Sequence, residues 1–155
     1  QEALCAKSAK MSSIMNVAVK VVNFILARGL NHRQFRELLT EVDAEHNDLV
    51  YYCEVRWLSR GRMLERLYDL RGEVAAFLSM KGANFPEFSD PNWLLGLAFL
   101  ADLTSHLNDL NVRLQGKDLL IPDMISSISA FEVKLRLWES QLREGDFTHF
   151  QSLRA

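Results

Sequence analysis

Apolar residues recur at intervals of three and four along most of this chain, and this spacing constrains the fold more than any other feature. Such intervals are the repeat of an α-helix that buries one face. Three prolines and seven glycines in 155 residues also leave room for long helices. We therefore predict an all-α, multi-helix, bundle-like domain with short loops. Its five helices are expected to begin near Ser12, Asn31, Ser59, Pro91 and Pro122, and to end near Arg28, His46, Lys81, Gly116 and Gly145.

Several of these helix ends carry local signals. Gly29 stands where a helix C-cap needs a positive φ, and Asn31 has the side chain of an N-cap. Ser59 is the expected N-cap of the third helix, and Asp90-Pro91 joins an N-cap carboxylate to a proline at the first helical position. Gly72 costs a helix about 1 kcal/mol relative to alanine, so we expect it to mark a close helix crossing.

Two stretches have some β character. The segment Leu49–Val55 is rich in β-branched and aromatic residues and favours one short extended segment. In the first helix, the β-branched residues from Val17 to Val22 also alternate, so a strand is an alternative there.

The organisation of the chain is simple. Residues 1–155 contain no internal repeat or low-complexity tract, and we predict one helical domain. The chain starts with Gln1 rather than Met, and the apolar residues Phe147, Phe150 and Leu153 predict the start of a further element. We therefore expect a piece of a longer protein.

Composition excludes several classes of function. The net charge of −2 gives no overall attraction for nucleic acid or an anionic membrane, so polyanion binding would need a local patch. The apolar stretch Trp93–Leu103 is too short for a membrane helix, which needs ~20 residues. Cys5 and Cys53 are too few for a disulfide framework, which favours a reducing compartment. The four histidines are scattered and no phosphate-binding glycine loop or nucleophile motif is present, so we expect no metal, cofactor, small-molecule substrate or complete active site.

The fourth helix carries a leucine-rich stripe between Trp93 and Leu114. Its spacing suits two roles: part of the internal core, or a seam that joins a protein partner or a second copy. Both interpretations stay open from the sequence.

The most informative feature is a basic and aromatic stretch before and within the third helix. Its arginines are Arg56, Arg60, Arg62, Arg66 and Arg71, grouped around Trp57 with Tyr51 and Tyr52 just before. An arginine fork matches phosphate, and an indole face can stack on an unpaired base for about 1–3 kcal/mol. The alternative is that Trp57 is a core residue and the arginines pair with Glu54, Glu65 and Asp69.

Residues Glu54–Arg62, which we name the Arg-Trp segment, carry a family resemblance. Together with Leu64 and Arg66-Leu67, they resemble the Arg-Trp segment of hAT-superfamily DNA transposases, in the form kept by transposase-derived vertebrate proteins and by BED-zinc-finger relatives. The resemblance implies a helical insertion in an RNase H-like transposase. It also implies that Arg56 contacts the DNA backbone near a break and that Trp57 stacks on a displaced base. From the clustering of basic and aromatic residues, we add Arg60 and Arg62 to the predicted DNA-binding residues.

The same resemblance limits the function. The three catalytic carboxylates of such transposases would lie outside residues 1–155, so this piece is expected not to be an enzyme. We expect a nuclear DNA-binding and transcription-regulatory protein derived from a transposase. The alternatives are a protein-interaction or oligomerisation scaffold without DNA contact, and part of a still-active transposase.

Overall fold

The computed structural model describes residues 2–53, 57–116 and 120–154, with side chains from residue 10 in the first range and from residue 59 in the second. Within these ranges the chain is all-α, as predicted, and contains no strand. The helices are α1 (Glu2–Leu26), α2 (Gly29–Glu41), α3 (Trp57–Asp69), α4 (Arg71–Met80), α5 (Pro91–Leu114), α6 (Ile121–Glu144) and α7 (Gln151–Arg154), with a 3₁₀ helix at Pro86–Ser89.

Helix α5 is the centre of the fold. It packs against α1, α3, α6, α7 and the 3₁₀ helix, and its contact with α3 is the most extensive. Of the leucine-rich stripe, Trp93, Leu97 and Leu100 are buried in the domain, so this part of the stripe is core. The rest of the core comes mainly from α1 to α4, and its largest fully buried side chains include Phe35, Phe77, Ile25, Met63, Leu64 and Leu67.

Several predicted helix ends are confirmed. The Asp90 carboxylate accepts a hydrogen bond from the Asn92 N–H at 2.9 Å and caps α5. Gly82 and Gly145 follow α4 and α6 with φ of 63° and 76°, a conformation in which glycine has no steric penalty.

The start of α2 differs from the prediction. Gly29 is the first residue of α2, not a positive-φ cap of α1, and Arg28 holds the N-cap position in an extended conformation. Asn31 is a buried residue inside the first turn of α2, where its Nδ2 donates to the Phe24 carbonyl at 3.0 Å. Its amide therefore satisfies the end of α1 rather than the start of α2.

Helix α2 ends earlier than expected, at Glu41 rather than near His46. Asp43 adopts a φ of 50°, and the Ala44 N–H donates to the Leu39 carbonyl at 3.0 Å, which closes the helix with a Schellman-type turn. The described residues 49–53 that follow form neither helix nor strand, so the predicted extended segment is not a strand over that range, and 54–55 lie outside the described residues.

The predicted third helix is two helices, α3 and α4, which meet at Leu70. At the junction the Arg71 Nη1 donates to the Tyr68 carbonyl at 2.9 Å, and the guanidinium lies over the Tyr68 ring. This side chain competes for a carbonyl that a continuous helix would use internally.

The close helix crossings occur at glycines other than the one predicted. A Cβ on Gly72 would meet nothing within 4 Å, so that prediction is wrong. A Cβ on Gly61 would lie 2.2 Å from the Asn108 Nδ2, and one on Gly96 would lie 2.5 Å from the Ile14 Cδ1. Gly61 and Gly96 are therefore the positions where α3 and α1 come close to α5.

Among the described residues, no single helix is long and apolar enough to span a membrane. Lys10–Leu26 and Gly29–Glu41 pass the test of length and composition as a pair, but they are bent by 93°. Val21, Val22 and Ile25 in the first of them are buried in the core.

Candidate nucleic-acid interface

The linker between α2 and α3 leads into the Arg-Trp segment and is anchored through Asp48. The Asp48 carboxylate lies 2.6 Å from the His32 Nε2 of α2, and its Oδ1 accepts from the Leu49 N–H at 2.8 Å. The Asp48 carbonyl accepts from the Arg66 Nη1 at 2.9 Å. One residue thus ties the linker to both α2 and α3.

Three further hydrogen bonds hold the rest of the linker. The His46 Nε2 lies 3.0 Å from the Asp69 carboxylate at the end of α3. The Tyr51 hydroxyl donates to the Leu26 carbonyl at 3.0 Å. The Ser59 hydroxyl donates to the Cys53 carbonyl at 3.1 Å, from within the first turn of α3. Ser59 therefore joins the linker to α3 from inside the helix and is not its N-cap.

Three of the four predicted site residues, Trp57, Arg60 and Arg62, lie in the first two turns of α3. Arg56 lies outside the described residues, and Trp57 is the first residue of α3, with its side chain outside the described part. Arg60 is half-buried, with its guanidinium carbon 5.7 Å from the centre of the Tyr52 ring. Arg62 is exposed.

Arg60 and Arg62 do not share a surface. Residues two apart are separated by about 200° around an α-helix, so these side chains leave α3 on opposite sides. Gly61 stands between them and is buried against Thr104 and Asn108 of α5. The arginines that are adjacent in sequence are therefore divided by the helix and its neighbour.

The other two arginines of the cluster have structural partners. Arg66 donates to the Asp48 carbonyl, and Arg71 donates to the Tyr68 carbonyl and lies over the Tyr68 ring at 4.2 Å. Cation–π contacts and hydrogen bonds of this kind hold the side chains against the protein. The sequence could not separate these roles, since all five arginines look alike in it.

The surface around Arg62 is mixed in charge. A groove of about 480 Å³ beside it is lined by His46, Val50, Arg62, Glu65, Arg66 and Asp69. The acidic residues offset the basic ones, so this groove has no strong positive potential. Among the described residues, no three His, Cys, Asp or Glu side chains come together as a metal site.

The residues that hold the site in place were missed by sequence reasoning. The contact of Asp48 with His32 spans 16 residues, and that of Tyr51 with Leu26 spans 25 residues. The His46-Asn47-Asp48 run, which was interpreted only as a helix end, was the one available signal.

The described part of the chain thus defines a class: an all-α domain in which α3, the helix that packs most extensively on the central α5, begins with basic residues. A family model for the FAM200/GTF2IRD2 helical domain matches residues 1–143, and the chain belongs to this family. The match supports the resemblance to transposase-derived vertebrate proteins.

Two curated relatives carry the same name, General transcription factor II-I repeat domain-containing protein 2. The chain is 44% identical to the protein from Bos taurus and 41% identical to that from Mus musculus, each over 154 residues. Each comparison covers 99% of this chain but only 16% of the relative. No solved structure shows a significant match.

Proposed function

We propose that this chain is a DNA-contacting helical domain of a nuclear, transposase-derived regulatory protein, and that it is not catalytic on its own. The observation that carries the proposal is the Arg-Trp segment, of which residues 57–62 begin α3, after a linker that is held by hydrogen bonds at His46 and Cys53. The names of the relatives support a role in transcription and hence a nuclear location.

In this proposal the contact to DNA is local. Arg56 and Trp57 bind a DNA end or a single strand, with the guanidinium on phosphate and the indole on an unpaired base. The exposed Arg62 adds a further phosphate contact. The half-buried Arg60, which lies beside Tyr52, contributes a DNA contact on the other side of α3.

The net charge and the mixed groove predict modest affinity, and the few phosphate contacts predict a shallow dependence on salt. Each phosphate contact that is lost should reduce the slope of log K against log salt by about 0.7 on a single strand. This slope separates a phosphate contact from a base-stacking contact.

Fluorescence anisotropy with a labelled hairpin and a labelled single strand tests the proposal. We expect Trp57→Ala to weaken binding by about 1–3 kcal/mol with little change in salt slope. We expect Arg56→Ala and Arg62→Ala to reduce the slope. Arg33→Ala is the matched control, because Arg33 is an exposed arginine on α2. Equal binding by all these proteins, or no binding by any of them, would contradict the proposal.

A scaffold function remains the second candidate, and one observation favours it: α6 exposes many apolar side chains. The two functions are compatible, because α3 and α6 pack on α5 and have no extensive contact with each other.

A further inference from the structure

Residues 146–154, which we name the α7 segment, lie in a groove formed by α3, α5 and α6. Three side chains of the groove bind the backbone of this segment. From α3, the Tyr68 hydroxyl donates to the carbonyl of the second residue of α7 at 2.7 Å. From α5, the His106 Nε2 donates to the His149 carbonyl at 2.7 Å, and the Asp102 carboxylate accepts from two N–H groups of α7. These polar contacts recognise main-chain groups rather than a particular sequence.

One side chain of the α7 segment anchors it in the groove. Phe150 is 2% exposed, whereas the other residues of the segment are partly or fully exposed. Its ring stacks on the Phe99 ring with the ring centres 5.6 Å apart. The rings of His106 and Trp138 meet it edge to face, with centres at 5.6 and 5.9 Å. The groove therefore contains a pocket for a single aromatic side chain.

These contacts are available to peptides other than the α7 segment. Every residue carries a backbone carbonyl, and every residue except proline carries an N–H, so an aromatic residue followed by a helical turn meets the same requirements. The groove residues all lie within residues 1–143, the part of the chain that the family model matches, and the α7 segment lies beyond that part. The groove thus belongs to the family domain itself.

A cavity of about 470 Å³ continues the groove beside α7, and its lining is mainly acidic. The acidic lining residues are Glu45, Glu65, Asp69, Asp102 and Asp109. The arginine that also lines the cavity, Arg71, lies over the Tyr68 ring. Among the described residues, Glu65 and Asp109 form no ion pair. The α7 segment brings Gln151 to this cavity but no Lys or Arg, so it leaves the acidic charge unmatched.

We propose that this groove is a peptide-binding site, which the α7 segment occupies in cis, and that it takes in trans a partner-protein segment with an aromatic residue followed directly by Lys or Arg. The aromatic residue occupies the pocket of Phe150. The basic side chain takes the place of Gln151 and enters the acidic cavity. Because the α7 segment is part of the same chain, it competes at high effective concentration and acts as an autoinhibitory contact. The proposal does not depend on DNA binding by the Arg-Trp segment.

Charge favours this occupant over two others. A nucleic acid is polyanionic, and the acidic lining of the cavity would repel it. The α7 segment of a second copy also has Gln151, so it gains nothing from the cavity over the segment already bound. A basic side chain gains charge-assisted hydrogen bonds to the carboxylates, and this gain lets a partner segment displace the α7 segment.

Two variants of the full chain open the groove without changing the side chains of α3, α5 or α6. Phe150→Ala empties the aromatic pocket, and Ser152→Pro removes an N–H group that Asp102 accepts. The probe is a fluorescent peptide with the sequence of residues 146–154. In fluorescence anisotropy we expect both variants to bind this peptide at least about tenfold more tightly than the unmodified chain, in which the α7 segment competes.

Changes in the peptide test the class of ligand. Phe150→Ala in the peptide should abolish binding, and Gln151→Arg in the peptide should tighten binding to the open chain at least about tenfold. Adding Glu65→Lys to the open chain should remove that gain, because it places a positive charge in the cavity. Adding Glu132→Lys is the matched control, since Glu132 is an exposed carboxylate of α6 that does not line the cavity.

Circular dichroism checks that each variant folds. On the unmodified chain, we expect a saturable NMR shift of the Trp138 indole N–H with excess Gln151→Arg peptide. Three results would overturn the proposal: folded variants that bind no peptide, an arginine peptide that binds no tighter, or a dimer of the unmodified chain that Phe150→Ala abolishes. The last would assign the groove to the α7 segment of a second copy. If neither variant folds, absence of the Trp138 shift would overturn it as well.

Discussion

The carboxylate of Asp102, in the middle of α5, accepts hydrogen bonds from the backbone N–H of Ser152 at 3.2 and 3.0 Å. It also accepts from the N–H of Leu153 at 3.3 Å. These donors belong to the first turn of α7, a helix of four residues that has no internal partners for them. Asp102 therefore caps α7 from a position fifty residues away.

We expect Asp102→Ala to lower the free energy of unfolding by about 1 kcal/mol, the usual cost of losing a helix cap. It should also speed hydrogen exchange at Ser152, which NMR can follow. Asp109→Ala is the matched control, because Asp109 is an exposed carboxylate on α5 one heptad later. Equal destabilisation by both variants would mean that Asp102 contributes only charge, not a cap.

Gly61 and Gly72 should respond in opposite ways to alanine. At Gly61 the new Cβ overlaps the Asn108 side chain, and we expect a loss of about 1–3 kcal/mol in the free energy of unfolding. At Gly72 nothing lies within 4 Å, so alanine should stabilise α4 by up to about 1 kcal/mol. Denaturant unfolding measures both changes. Adding Asn108→Ala to Gly61→Ala should recover part of the lost stability. If the double variant shows no recovery, the overlap with Asn108 is not the cause of the loss.

Asp48 should position the Arg-Trp segment without itself touching DNA. Asp48→Ala removes the contacts to His32 and to the Leu49 N–H, and we expect the linker to lose protection from hydrogen exchange. If the DNA-binding proposal holds, affinity should fall while the salt slope stays unchanged, because no phosphate contact is removed. Glu45→Ala provides the control, since Glu45 is an exposed carboxylate of the same linker. A changed slope would indicate a direct electrostatic effect instead.

Asp146 follows α6 and has a lowered pKa. The hydroxyl of Thr148 donates to its carboxylate at 2.5 Å, and the Thr148 N–H donates at 2.9 Å, and both favour the charged form. A lowered pKa in the folded state means that its contribution to stability is present above the unfolded pKa and is lost as pH falls through the folded pKa. We expect Thr148→Val to raise the pKa of Asp146 toward its ordinary value in an NMR titration. An unchanged pKa would show that the backbone N–H alone is sufficient.

The helices were predictable because their signals are local. The spacing of apolar residues, the Asp90 cap and the glycines at 82 and 145 act within one or two turns. The junction at Leu70 was not predictable, since it depends on where the Arg71 side chain finds an acceptor. The crossings at Gly61 and Gly96 depend on which helix faces pack together, and a single sequence does not determine these pairings.

The candidate site shows the same division. Its position on a basic and aromatic stretch came from composition, but the separate surroundings of Arg60 and Arg62 came only from the structure. On α6, the spacing of apolar residues does not by itself determine burial. Ile125, Ile128 and Leu135 have the spacing of buried residues, yet they are exposed, because no second layer of the described chain covers them.

The burial of Gly61 affects how substitutions in the Arg-Trp segment are interpreted. A mutational scan that measures only DNA retention would score Gly61 beside Arg60 and Arg62 as equally sensitive. If the DNA-binding proposal holds, the glycine variant would lose binding through misfolding at the contact with α5, whereas the arginine variants would lose binding while staying folded. A thermal melt beside each binding assay therefore separates the residues proposed to contact DNA from the one that keeps the helices together.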